Sequence, residues 1–174
     1  MRKLNNKELS RLSLDDFKRA GKMPLVVVLD HVRSCNNVGS IFRTCDALLV
    51  SKICLCGITA TPPDREIHKT ALGAENSVDW EYFKTAEDAV VNLKKEGYTV
   101  IAIEQVENSI LLNEYLPAPK EKLALIFGNE VNGVQQEVVN MCDKTIEIPQ
   151  FGTKHSFNIA VSTGIVLWDL FYKL

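Results

Sequence analysis

The chain has 174 residues, with 20 Lys+Arg against 22 Asp+Glu for a formal charge of -2; 46% of it is hydrophobic and 24% charged. That length suits one domain with a sizeable core, and the composition excludes a disordered, collagenous or coiled-coil chain. No apolar run approaches the roughly 18–20 residues of a membrane span, the opening residues lack the apolar stretch of a secretory signal, and near-neutral net charge argues against a polyphosphate partner.

Taken by position, the charge is uneven. Residues 1–23 carry seven bases (Arg2, Lys3, Lys7, Arg11, Lys18, Arg19 and Lys22) against three acids, a local +4 that leaves -6 on the other 151 residues. The organisation expected is a basic N-terminal arm over 1–23, with one short helix or two (Ser13 as cap, Gly21 as stop), and a domain over 24–174. Residues 25–29 are a continuous apolar, mostly β-branched run, the mark of a strand buried on both faces. Val38, Ile41, Phe42, Cys45, Leu48 and Leu49 then recur at helical spacing, with Asn37 as N-cap. Residues 52–56 read as the next strand. Thr85, with Asp88 three residues on, opens a helix that Gly97 closes. Strands follow over 98–103 and 123–127, then a helix near 135–142, a strand over 145–148 and a last helix near 156–172. This alternation predicts an α/β fold with a mostly parallel sheet flanked by helices.

The five cysteines (Cys35, Cys45, Cys54, Cys56 and Cys142) show no CxxC pair and read as reduced, largely buried thiols of a cytoplasmic protein. His31, His68 and His155 follow no metal spacing, so no metal is expected. Neither Gly39 nor Gly128 opens a GxGxxG. Gly128 and Gly133 have P-loop spacing, but Val134 stands where the lysine must be, and no GxSxG elbow is present. In a parallel sheet, ligands bind beyond the carboxyl ends of the strands. Three polar, glycine-bearing loops fall there: residues 30–40, 128–133 and 149–158. They offer amides, hydroxyls, a carboxylate and an arginine, Arg43, whose planar fork suits a phosphate. Asn37 as a helix cap, Gly128 and Gly133 as turn residues, and Ser156 as the cap of the last helix are the plain alternatives.

Together the three segments resemble a family. Residues 37–44 (NVGSIFRT), 127–133 (FGNEVNG) and 148–162 (IPQFGTKHSFNIAVS) are similar, in order and spacing, to the three motifs of the SpoU (TrmH-like) RNA 2'-O-ribose methyltransferases, and residues 69–75 (KTALGAE) are also similar to its members. The resemblance implies an α/β domain whose C-terminus is threaded as a deep trefoil knot, with S-adenosylmethionine held there by Phe127, Gly128, Ile148 and Phe157. Family members usually carry Leu at the position of Phe157. Catalysis is expected from Asn37, Arg43, Glu130, Ser156 and Asn158, with Arg43 engaging the phosphate and 2'-hydroxyl of the target. A guanidinium is a poor proton acceptor, so Arg43 serves better for positioning and charge stabilisation than as a base. The resemblance also implies a homodimer, which the nearly all-round apolar last helix supports. Arg2, Lys3, Lys7, Arg11, Lys18, Arg19 and Arg33 are the candidate RNA contacts, tRNA is the first substrate class and rRNA the second. A catalytically inactive RNA-binding or assembly protein of the same fold is the competing reading.

Overall fold

The computed structural model describes residues 1–5 and 8–174, so Lys7 lies outside the described residues. In chain order the elements are α1 (Leu14–Arg19), β1 (Met23–Asp30), α2 (Cys35–Ala47), β2 (Val50–Cys56), α3 (Arg65–Ala71), α4 (Ala74–Ser77) and β3 (Asp79–Phe83). They continue with α5 (Ala86–Lys95), β4 (Thr99–Ile103), β5 (Ile110–Leu111), β6 (Leu123–Phe127), α6 (Gln136–Met141), β7 (Lys144–Glu147) and α7 (Ile159–Lys173). The strands form one sheet in the order β3-β2-β1-β6-β4-β7-β5, and every neighbouring pair is parallel.

The continuous apolar runs have the cause expected of them. In β1, Leu25, Val27 and Leu29 face the layer of α2 and α7, while Val26 and Val28 face that of α5 and α6, and all five are fully buried. Leu123, Leu125 and Phe127 of β6 join the first core, and Ala124 and Ile126 join the second. Burying such a side chain contributes about 1.5–3 kcal/mol, so the two central strands anchor both layers. Short parallel strands need helical crossovers, and the caps that start these helices are written locally. Thr85 Oγ1 accepts from Asp88 N at the start of α5, and Ser13 Oγ does the same for Asp16 N at the start of α1.

Several boundaries differ from the expectation. The cap of α2 is Ser34, whose Oγ accepts from Asn37 N at 3.3 Å, so Asn37 is the third residue of the helix and its side chain is released for other work. Asn158, not Ser156, caps α7, its Oδ1 accepting from Ala160 N at 2.9 Å. Helix α1 stops at Arg19, with Ala20 as its cap in extended conformation, before Gly21 is reached. The last strand ends at Glu147, which puts Ile148 first in the following loop. Three elements between residues 57 and 84 carried no periodic signal. Helices α3 and α4 are seven and four residues long, and β3 exposes every residue but Phe83, which is partly buried, so no alternation marks it.

The chain leaves β4, forms the edge strand β5 and returns to β6 before β7 enters between β4 and β5. The threaded C-terminus stays an implication of the resemblance. Helix α1 is seated on the domain, with Phe17 buried in the first core and Lys18 Nζ 2.5 Å from Asp79 Oδ1. Among the described residues, no helix is long and apolar enough to cross a membrane.

Candidate active site

The carboxyl ends of β4, β6 and β7 open into a cleft of about 540 Å³, whose walls are residues 103–105, 127–133, 147–148 and 155–159 with Ser162. Phe127, Gly128, Ile148 and Phe157, the four candidate cofactor contacts, all line it, as do Glu130, Ser156 and Asn158. The volume is that of an ordinary small-molecule pocket.

The floor is made by a loop that folds back on itself. Asn129 and Gly133 exchange backbone hydrogen bonds at 3.1 and 3.0 Å, and Asn129 Oδ1 accepts from the amides of Val131 and Asn132, both at 2.9 Å. Gly133 supplies the left-handed backbone (φ 67°) that closes the turn. Gly128 is required for a different reason: a Cβ there would sit 1.8 Å from Gly133 C and 2.0 Å from Val134 N. The loop therefore approaches its own root more closely than any side chain allows.

Glu130 ties this loop to the first motif. Its Oε1 accepts from Asn37 Nδ2 at 3.0 Å and from Ser34 N at 3.3 Å, and its Oε2 accepts from Arg33 N at 3.3 Å. Burial works to raise the Glu130 pKa. The hydrogen bonds from its own amide, from Asn37 and from the amides of Arg33 and Ser34 outweigh that and hold it below its ordinary value. Asn37 Oδ1 in turn accepts from Asn158 Nδ2 at 3.2 Å. Three residues drawn from three motifs, Glu130, Asn37 and Asn158, thus form one chain of hydrogen bonds at the mouth of the cleft.

Arg43 is not part of that chain of hydrogen bonds. It lies two turns along α2, exposed, in a separate groove of about 620 Å³ between α2, Lys69–Thr70 of α3 and Gly164 and Trp168 of α7. Its guanidinium makes no hydrogen bond or ion pair among the described residues. Ser156 lines the cleft without a hydrogen bond of its own among the described residues. Of the candidate RNA contacts, Arg2 pairs with Glu8 (2.7 Å), Lys18 with Asp79 and Arg19 with Asp16 (2.8 Å), while Lys3, Arg11 and Arg33 have side chains without an ion pair among the described residues. No group of three or more His, Cys, Asp or Glu among the described residues could hold a metal.

Two residues of the cleft went unnoticed in the sequence. Glu104 accepts from Val134 N and from Gln105 N, both at 2.9 Å, and Gln105 Nε2 donates to the carbonyl of His155 at 2.6 Å. Their position directly after an apolar strand run was the available signal, the same one that marked the other three loops.

A methyl donor of nucleoside type fits what is present. The cleft offers apolar walls from Ile103, Phe127, Ile148 and Phe157 and backbone groups of two loops for hydrogen bonding, with Glu104 and Glu130 also in its lining. Residues 24–168 match the model of the SpoU rRNA Methylase family. A tRNA (guanosine(18)-2'-O)-methyltransferase of Aquifex aeolicus is 30% identical over 148 residues, covering 83% of this chain and 67% of that protein. A 23S rRNA (guanosine-2'-O-)-methyltransferase of Neisseria meningitidis is 29% identical over 153 residues, covering 88% of this chain and 60% of the relative. The crystal structure of an AdoMet-bound rRNA methyltransferase from Sinorhizobium meliloti superposes with a TM-score of 0.77 at 30% identity, over 91% of this chain and 60% of that one. The chain thus spans about 60% of the length of two of these three proteins. With the motifs in order, the cleft built from their loops and the match over residues 24–168, the chain belongs to the SpoU rRNA methylase family.

Proposed function

We propose that the protein is an S-adenosylmethionine-dependent methyltransferase that modifies a ribose 2'-hydroxyl of RNA, with tRNA as the first substrate class and rRNA as the second. The observation that carries this reading is the Asn158–Asn37–Glu130 chain, which joins all three motifs beside a cleft of nucleoside size. S-adenosylmethionine supplies a methyl group already activated on a sulfonium, so the protein's task is alignment more than activation. Phe127, Gly128, Ile148 and Phe157 hold the donor. Glu130 fixes the turn into α2 through three donors, and Asn37 sets the approach of α7 through Asn158. Ser156 faces the reacting groups from the third loop, and Arg43 pairs with the phosphate beside the target ribose and orients its hydroxyl.

The separation of Arg43 from the cleft favours a homodimer with composite sites. Val161, Ile165 and Trp168 form one exposed apolar stripe of α7, 50%, 36% and 57% exposed. Trp168 also lines the groove of Arg43. Covering the stripe with a second copy brings a neighbour beside Arg43 and removes the apolar surface from water. The basic residues of the arm, with Arg33 at the mouth of the first loop, supply the salt-sensitive grip on RNA. A cytoplasmic location suits both the substrate and the free cysteines, three of which are buried.

Isothermal titration with S-adenosylmethionine tests the reading. Binding at micromolar cofactor is expected; absence of binding would leave only the inactive RNA-binding alternative.

A further inference from the structure

Residues 149–157 form an irregular segment between β7 and α7 that carries Ser156 and Phe157 into the cleft. Residues 151–157 are exposed throughout, and Phe151 at the tip is 97% exposed. Among the described residues the segment makes a single hydrogen bond and no ion pair: Gln105 Nε2 to the carbonyl of His155, at 2.6 Å. One residue earlier, Glu104 grips the opposite wall, its carboxylate accepting from Val134 N and closing on Gly133 so nearly that a Cβ there would lie 2.1 Å from Oε2. Glu104 also accepts from Gln105 N, which stiffens the pair. Two consecutive residues at the end of β4 therefore reach both loops of the cleft, one arm to each.

Resting on the methyltransferase reading above, we infer that Gln105 is a positioning residue, a latch that holds the 149–157 segment closed so that Ser156 and Phe157 face the cofactor, with Glu104 as the fixed arm of the same bracket. A loop with no other hydrogen bond or ion pair to the described residues opens once that bond breaks, and its population of open states follows the bond's strength. Nothing else in the segment competes for the role: its polar side chains, those of Gln150, Thr153, Lys154, His155 and Ser156, bond to no described residue.

The geometry places a reporter on the latch. Lys154 precedes His155, so trypsin cleaves the peptide bond next to the latched carbonyl, and Lys120, exposed in another loop, serves as an internal reference. Limited tryptic digestion of the whole protein, read by mass spectrometry, compares wild type with Gln105→Glu, which replaces the donor by an acceptor, and Gln105→Ala. Cleavage after Lys154, relative to Lys120, is expected to rise about five- to tenfold in both variants, the factor set by one hydrogen bond. The KM for S-adenosylmethionine should rise by a similar factor, with kcat at saturation changing less. Equal relative cleavage in wild type and both variants would overturn the latch. If S-adenosylmethionine neither binds nor protects Lys154 in any of the proteins, the methyltransferase reading falls, while the cleavage ratio still decides the role of Gln105.

Discussion

Asn37 and Glu130, 93 residues apart, meet through a 3.0 Å hydrogen bond from Nδ2 to Oε1, and the same asparagine accepts from Asn158 at 3.2 Å. This pair sets the spacing between the first and second motif loops, so its loss should act on alignment before it acts on stability. Asn37→Ala should cost about 1 kcal/mol in denaturant unfolding and lower methyl transfer on the order of 10²-fold. The Glu130 carboxyl has its pKa held below the ordinary value, so its contribution is present above the unfolded pKa and fades as pH falls through the folded one. In thermal melts from neutral pH into the acid range, wild type should therefore lose more stability than Glu130→Gln. Parallel curves would remove Glu130 from the account.

The approach of Gly128 to Gly133 and Val134 leaves no room for a methyl group. Gly128→Ala should weaken S-adenosylmethionine at least about tenfold by calorimetry, since displacing the loop by overpacking commonly costs about 1–3 kcal/mol. An unchanged affinity would mean that this loop does not form the cofactor's floor.

Burial pushes the Cys54 thiol up to about 12 and raises Cys45 and Cys56 further still, while Cys142 moves up to about 11. The thiolate is the reactive form. With a chromogenic disulfide reagent at mildly alkaline pH, half-buried Cys35 should react first in the native protein, and the full five only after unfolding. Prompt reaction of all five would contradict the packing of β2 and α2.

The Trp168 stripe tests the assembly. Trp168→Glu places a charge in the middle of the proposed dimer face and should convert a dimer to a monomer in light scattering, with transfer activity lost alongside. A wild-type monomer at micromolar concentration would leave Arg43 without a partner's cleft to serve.

How much of this was legible beforehand follows from what each signal measures. The buried strands were plain because burial on both faces forces unbroken apolar runs such as residues 25–29. The caps at Ser13 and Thr85 were plain because capping is local. Ser34 lost to Asn37 in the expectation because both are good caps, and only the long-range bond to Glu130 distinguishes them. The strand β3 was silent because an exposed edge strand has no alternation to show. The motif residues were found by likeness, and the structure brings Asn37, Glu130 and Asn158 together. It leaves Arg43 in another groove, a separation that no spacing along α2 announces. Gln105 was missed because one long side chain bonded to a distant carbonyl leaves no pattern in the sequence.

The most direct measurement is methyl transfer from labelled S-adenosylmethionine to total RNA, followed by alkaline hydrolysis, which spares the linkage after a 2'-O-methylated ribose. Label in alkali-resistant dinucleotides, abolished by Arg43→Ala while that variant still folds and binds the cofactor, is the result this account predicts. Label confined to bases, no label at all, or full transfer by Arg43→Ala would contradict it.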